Sequence, residues 1–376
     1  MRVNLPSKRY FELGLIAGML LVAAFSRLYR LDELPAGLAP DIAFNGLDAH
    51  DVLTGHLPVF FPRNYGREAL FVYFQTLILA GGGFTRFSFS YAGIALDMLA
   101  VATTYRLWRE LFSFRVGVLA ALFLGVFMWD VNMSRLGFRV SSLLPLLNAT
   151  VYLLWRLVHI GERKYALLGG LTVGLSLYTY TSARLVPVLL AACLVCSWRL
   201  ARKRLPLLGL AALTAAVVAL PEGIYFLRHP AEFTMRTADV SLFEARPRGG
   251  ESVGTAVLRS MGMFFVRGDI NPTYNLIGRP VFERWEGVLF GLGLGFALAW
   301  MWRSAAARWS LSWLGGDARS CSAFHRQPQQ HAGVGCSPRR TRLAGSGRGG
   351  RREGFAAGAA CLRGAGLANR GCGGGA

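Results

Sequence analysis

The chain has 376 residues, 53% of them hydrophobic and only 16% charged, with a formal net charge of +20. A charged content this far below the roughly 25% usual for soluble domains argues against a water-soluble globule of the same length. The basic excess is distributed loop by loop, which argues against a nucleic-acid-binding surface as its cause.

The first apolar run covers 12–28. Lys8 and Arg9 precede it, but no A-x-A cleavage site follows, so it reads as a retained span and not as a secretory leader. Further apolar runs fall at 88–107, 116–130, 141–158, 165–181, 184–198, 205–227 and 285–302. Most approach the ~20 residues that carry a helix across a bilayer, where only internally bonded backbone is tolerated. The expected fold is an all-α polytopic membrane protein with about eight transmembrane helices. With a cytoplasmic N-terminus, Lys8/Arg9, Arg106/Arg109/Arg115, Arg156/Arg163/Lys164, Arg199/Arg202/Lys203/Arg204 and Arg303/Arg308 all fall on the inner side. Segments 29–87, 131–140, 182–184 and 228–284 then lie outside, the first and last as long extracytoplasmic loops.

The first outer loop contains the stretch PDIAFNGLDAHDVLTGHLPVFFPRNYGRE, from Pro40 to Glu68. Between Asp41 and Thr54 the spacing of Ile42, Leu47, Val52 and Leu53 predicts an amphipathic helix on the outer face. Asp41 follows Pro40 at its start, in position to cap. Asp48 lies two turns on, on the same helical face. A carboxylate held beside the membrane can act as a general base toward a hydroxyl, and its neighbour can orient the acceptor. Residues 68–80 are apolar but short, and predict an interfacial or re-entrant helix that ends at the Gly81–Gly83 break.

Arg63, Arg67, Arg135, Arg139 and Arg184 fall on the outer side, against the topological bias. Interfacial snorkelling or a local pair such as Arg67–Glu68 accounts for each about as well as a function does. The functional alternative is phosphate binding, for which the planar guanidinium is suited. Cations aimed at a departing phosphate lower the barrier to sugar transfer from a prenyl phosphate.

Other patterns carry less. Leu177-Tyr-Thr-Tyr180 reads as an interfacial aromatic belt, and the glycines of 291–295 as a helix-packing seam. Cys193 and Cys196 form a C-x-x-C inside an apolar helix, a poor setting for a reactive thiolate. No Walker loop, catalytic triad or zinc-ligand spacing is present. A transporter or flippase of polyprenyl lipid is the competing class. Such proteins favour mid-membrane charges and internal repeats; here Asp97 and Glu222 are the clearest mid-span charges, and no repeat is visible.

Composition changes after about 314. The tail 315–376 has sixteen Gly and ten Arg, against Asp317 and Glu353 as its only acids. Two readings fit: a disordered Gly/Arg-rich segment, or a GC-rich gene translated out of frame. The second leaves open an inactive, truncated relic.

As a set, several motifs resemble the C-type superfamily of integral-membrane glycosyltransferases, in the branch of protein O-mannosyltransferases and lipid A aminoarabinose transferases. They are Pro40-Asp41-Ile42 through Gly46-Leu47-Asp48-Ala49, Gly66-Arg67-Glu68, Ser134-Arg135-Leu136-Gly137-Phe138-Arg139, and Gly174 through Tyr180 with Ala183-Arg184-Leu185-Val186-Pro187. Gly268-Asp269-Ile270-Asn271-Pro272 with Asn275 and Pro280 completes the set. The resemblance implies a membrane-embedded transferase domain over 1–310 and a polyprenyl-phosphate sugar donor. It also implies an acceptor hydroxyl on protein, lipid or glycan, and inverting transfer at the extracytoplasmic face of the cell membrane. Asp41 matches the family's catalytic aspartate. The family's usual Asp-Glu pair is broken here by Ile42, so Asp48 either compensates or activity is weakened. Arg67, Arg135, Arg139 and Arg184 are the expected phosphate ligands, with Glu68, Asp269, Asn271 and Asn275 supporting. Arginine can supply the charge without a metal cofactor, and a divalent ion stays open. The expected partners are membrane lipids and no nucleic acid.

Overall fold

The computed structural model describes residues 6–34, 37–234, 253–268, 275–312 and 314. The tail 315–376, read as disordered or out of frame, lies outside the described residues, as do the expected supporting residues Asp269 and Asn271.

The described chain is mostly helical. Helix α1 spans Pro6–Leu28, α2 Pro40–Leu53, α3 Ala69–Gly82, α4 Arg86–Leu111 and α5 Phe114–Val126. Then come α6 Met128–Leu136, α7 Leu143–Ile160, α8 Arg163–Leu177, α9 Val186–Cys196, α10 Trp198–Ala201 and α11 Leu205–Arg228. Further helices follow at Val253–Phe265, Arg284–Trp300 and 305–312. Strands β1 (Phe60–Phe61) and β2 (Arg67–Glu68) form a two-residue antiparallel hairpin, with Phe60 opposite Glu68 and Phe61 opposite Arg67.

Among the described residues, four helical stretches are long and apolar enough to cross a bilayer: Tyr10–Leu28, Arg86–Leu111, Arg139–Ile160 and Trp198–Arg228. The run expected as one span over 116–130 breaks into α5 and α6, bent by 56°; counted as one broken span it makes five. The bend falls at Phe127, whose extended backbone (φ −63°, ψ 113°) both ends α5 and begins α6. The run expected over 184–198 opens with a 3-10 turn, Thr181–Leu185, and continues as a helix of only 11 residues. At 1.5 Å per residue such a helix is about 16 Å long, short of a hydrocarbon core of about 30 Å. The α3 segment forms the short apolar helix expected there and stops at Gly83.

Among the described residues, three of four apolar clusters lie between the long helices. Met19 and Ala23 of α1 pack with Val101 and Tyr105 of α4 and Ala121 of α5. Leu107, Leu147, Leu154, Leu190 and Trp309 belong to a second cluster across α4, α7 and α9. The third gathers Ile42 and Ala49 of α2, Leu79 of α3, Phe89 of α4, and Met133 and Leu136 of α6. Fully burying a side chain such as Ile42 contributes about 1.5–3 kcal/mol, so this third cluster is what anchors α2. The glycines of 291–295, expected to form a packing seam, have no described atom within 4 Å of the position a Cβ would take.

Candidate active site

Helix α2 begins where Pro40 supplies a preset φ at the first helical position. The N-cap is Ala39, with no side-chain cap, so Asp41 does not cap the helix as expected. It lies in the first turn, where a carboxylate suits the positive end of the helix dipole. Ile42 is buried, Leu47 and Leu53 are 55% and 47% exposed, and the polar Asn45 and Asp48 are buried. The helix turns a polar face inward because its buried partners are arginines.

Those partners come from the hairpin. Asp48 accepts from Arg67 Nη1 at 2.7 Å on one oxygen and from Arg63 Nη1 at 2.9 Å on the other. Arg63 also donates to Asp51 at 2.5 Å. Bonds to Asp48 first, and then Asp51, raise the Arg63 guanidinium above its ordinary range. Arg67 is almost fully buried and also lies 5.3 Å from the centroid of the Phe44 ring. Asp41, half-buried, accepts from Asn64 Nδ2 at 2.5 Å. Both acids of α2 therefore reach one turn, 62–66, which is what their shared face predicts.

The strand alternation of β2 separates Arg67 from Glu68, so the local pair expected between them does not form. Glu68 is buried and accepts from Arg139 Nη1 at 3.0 Å and from the Thr181 hydroxyl at 2.9 Å. Arg139 donates also to the Gly66 carbonyl at 3.2 Å and lies 5.1 Å from the centroid of the Tyr180 ring. Arg139 reaches the hairpin because Gly137 ends α6 in a left-handed turn at φ 71° and seats the backbone against Phe89, where a Cβ would meet the Phe89 carbonyl oxygen at 2.4 Å. The Tyr178–Tyr180 segment, expected as an aromatic belt, instead joins this layer. The Tyr178 carbonyl accepts from Leu70 N–H, and the Tyr178 hydroxyl donates to the Val218 carbonyl, both at 2.9 Å.

The structure thus brings together Asp41, Asp48, Arg67, Glu68 and Arg139. Arg184 is near: its guanidinium lies 5.2 Å from the Phe226 ring, and Phe226 also packs on Phe60 of β1. Arg184 donates to the Phe233 carbonyl at 2.7 Å. Arg135 stands apart. Its guanidinium donates to the carbonyls of Ser26, Arg30 and Leu34, satisfying acceptors at the end of α1. Asn275 donates within its own loop, to the Arg279 carbonyl at 2.6 Å.

Sequence reasoning passed over Asn64 and Thr181, neutral residues whose role exists only in three dimensions. Arg27 was also missed, although an arginine ending the first apolar run opposite a mid-span acid was a usable signal. Arg27 is fully buried, bonds Asp97 through Nε, reaches Asp130 at 2.9 Å and donates to the Gly125 carbonyl at 2.7 Å. Glu222 of α11 is buried too, its backbone N–H facing the Tyr178 hydroxyl at 3.3 Å, with Glu68 and Arg184 acting on it electrostatically. Among the described residues, no group of three or more His, Cys, Asp or Glu is placed to hold a metal ion.

Residues 69–225 match the family described as dolichyl-phosphate-mannose-protein mannosyltransferase. Over these residues, less than half of its length, the chain is similar to that family. The mannosyltransferase family comprises membrane glycosyltransferases that use dolichyl-phosphate sugar donors, and the matched segment takes in Arg135, Arg139, Arg184 and the whole of α3 to α9. The fold is similar to that of the oligosaccharyltransferase AglB from Archaeoglobus fulgidus. Its apo form superposes with a TM-score of 0.53 at 16% identity, over 85% of this chain and 50% of that one. A complex of AglB with an inhibitory peptide and a dolichol-phosphate gives the same TM-score and identity over 85% and 49%. Its complex with Zn and sulfate does so over 83% and 47%. This chain therefore spans about half the length of that enzyme. No curated protein matches the chain.

Proposed function

We propose that the protein transfers a sugar from a polyprenyl-phosphate donor to an acceptor hydroxyl at the extracytoplasmic membrane face, with Asp41 as general base. Asp41 is the half-exposed carboxylate of the acid–arginine layer, bonded to a neutral amide, whereas Asp48 is buried and held by two guanidinium groups. The place of Asp41 in the first turn of α2, partly exposed beside the Asn64 amide, is the single observation that carries the reading. A carboxylate placed there can take the proton of a hydroxyl brought within hydrogen-bond reach.

In this scheme Asp41 takes the proton of the acceptor hydroxyl as its oxygen attacks the anomeric carbon. The bond to the donor phosphate breaks on the opposite side, which inverts the centre. Developing negative charge on the leaving phosphate requires fixed cations. Arg67 and Arg139 neutralise Asp48 and Glu68 beneath the surface and hold the hairpin, while the more exposed Arg63 and Arg184 meet the phosphate. The family match and the bond between Glu68 and Arg139 support this arrangement, and the outer placement follows from the charge bias of the loops.

The test is incubation of the chain in lipid nanodiscs with dolichyl-phosphate mannose and a mixture of peptide and glycan acceptors, scoring release of dolichyl phosphate. Release by the native chain that is lost in Asp41→Asn supports the reading. Equal release by both removes Asp41 from the chemistry.

A further inference from the structure

The turn joining β1 to β2 has three successive residues in the left-handed region: Asn64 at φ 49°, Tyr65 at 64° and Gly66 at 85°. Glycine enters that region freely and asparagine with little penalty, but tyrosine does so at a cost of about 1 kcal/mol or more. Such a run persists only where the surroundings over-determine it. Here they do: Arg63 is tied to Asp48 and Asp51, and the Gly66 carbonyl to Arg139. Gly66 also rests on the Phe60 ring so closely that a Cβ would come within 2.4 Å of it. Tyr65 is 46% exposed. What the left-handed run accomplishes is to turn the Asn64 amide back onto α2, where it donates to Asp41 Oδ1.

From this geometry we infer that Asn64 is the positioning residue for Asp41, its amide aimed by the left-handed turn to fix the carboxylate toward the acceptor. The inference rests on the reading of Asp41 as the base and says how that base is oriented. A first-turn aspartate on a helix rotates about two side-chain bonds, and only part of that rotation faces an incoming hydroxyl. Fixing it removes an orientational cost from the transfer step.

The experiment uses the intact chain in nanodiscs, with Asn64→Gly, Asn64→Asp and Asp41→Asn variants. Asn64→Gly keeps the left-handed turn at no steric cost and removes only the amide. Carbodiimide labelling with an amine nucleophile, read by mass spectrometry, reports the freedom of each carboxylate without requiring turnover. In Asn64→Gly, labelling of Asp41 is expected to rise about threefold while Asp48 and Asp51 stay constant. The kcat for dolichyl-phosphate mannose is expected to fall about tenfold with the donor KM unchanged. Asn64→Asp, which sets a like charge against Asp41, is expected to fall further. Unchanged Asp41 labelling overturns the inference. So does a joint rise at Asp41, Asp48 and Asp51, which means that the turn has merely opened. If Asp41→Asn retains turnover, the catalytic reading fails on its own, and the labelling still decides whether Asn64 holds Asp41.

Discussion

Two ionic clusters in this protein are built from the same parts and differ in their surroundings. In one, Arg27 bridges Asp97 and Asp130 among α1, α4 and α6, with the guanidinium fully enclosed. In the other, Arg67 and Arg63 share Asp48 while Arg139 holds Glu68, and a further acid, Asp41, stands half-exposed at the edge. The first cluster ties three helices together, with Arg27 and Asp97 buried and Asp130 partly exposed. The second is assembled on a short hairpin, and its Arg63 side chain is 44% exposed. A buried ion pair alone therefore says little about chemistry. What distinguishes the second is Asp41, a carboxylate of the first turn of α2 set beside the Asn64 amide.

The comparison can be broken most directly at Asp41. Asp41→Asn is expected to lower turnover by about 10²- to 10⁴-fold, the usual range for a general base, with the unfolding temperature little changed. A loss confined to stability would put both clusters in the same class. Arg27→Leu is expected to act the other way, lowering stability by about 3–5 kcal/mol because two acids are left without their cation. Thermal unfolding in detergent checks this. The triple replacement of Arg27, Asp97 and Asp130 by leucine is expected to recover most of the loss. Turnover per folded molecule stays constant in the single variant; a specific loss of kcat there gives the enclosed cluster a catalytic role.

Smaller effects sharpen the boundary. Arg135→Ala removes hydrogen bonds to the end of α1 and is expected to cost about 1 kcal/mol in unfolding, without raising the donor KM. A raised KM would return Arg135 to the phosphate site from which the geometry separates it. Leu47→Ser, on the exposed face of α2, is expected to change stability by no more than about 0.5 kcal/mol. A larger loss would mean that the inward and outward faces of α2 have been assigned the wrong way round.

How much was legible beforehand differs by element. The apolar runs placed α1, α4, α7 and α11 correctly, because length and hydropathy suffice to identify a helix that must satisfy its own backbone in hydrocarbon. The α5–α6 run misled, since hydropathy does not register a backbone break at Phe127. Asp41 and Asp48 were seen to share a face, and they do converge on one turn. Their different environments were invisible, because burial depends on which arginines arrive from 63–67 and 139. Helix α2 shows the limit most clearly: apolar spacing predicted an amphipathic helix, but gave no sign that Asn45 and Asp48 would be buried.

From the sequence alone came the membrane character, the set of helical runs and the short stretch in which the acids and arginines lie. All of these follow from composition and period, which are properties of neighbouring residues. Tertiary structure decided that Asp48 is buried between two arginines while Asp41 is partly exposed, and that Arg135 bonds the carbonyls of Ser26, Arg30 and Leu34. It also brought the Asn64 amide to Asp41. Those outcomes depend on contacts between groups 15 to more than 100 residues apart, and pairing over such distances is set by how helices pack, which no local pattern encodes.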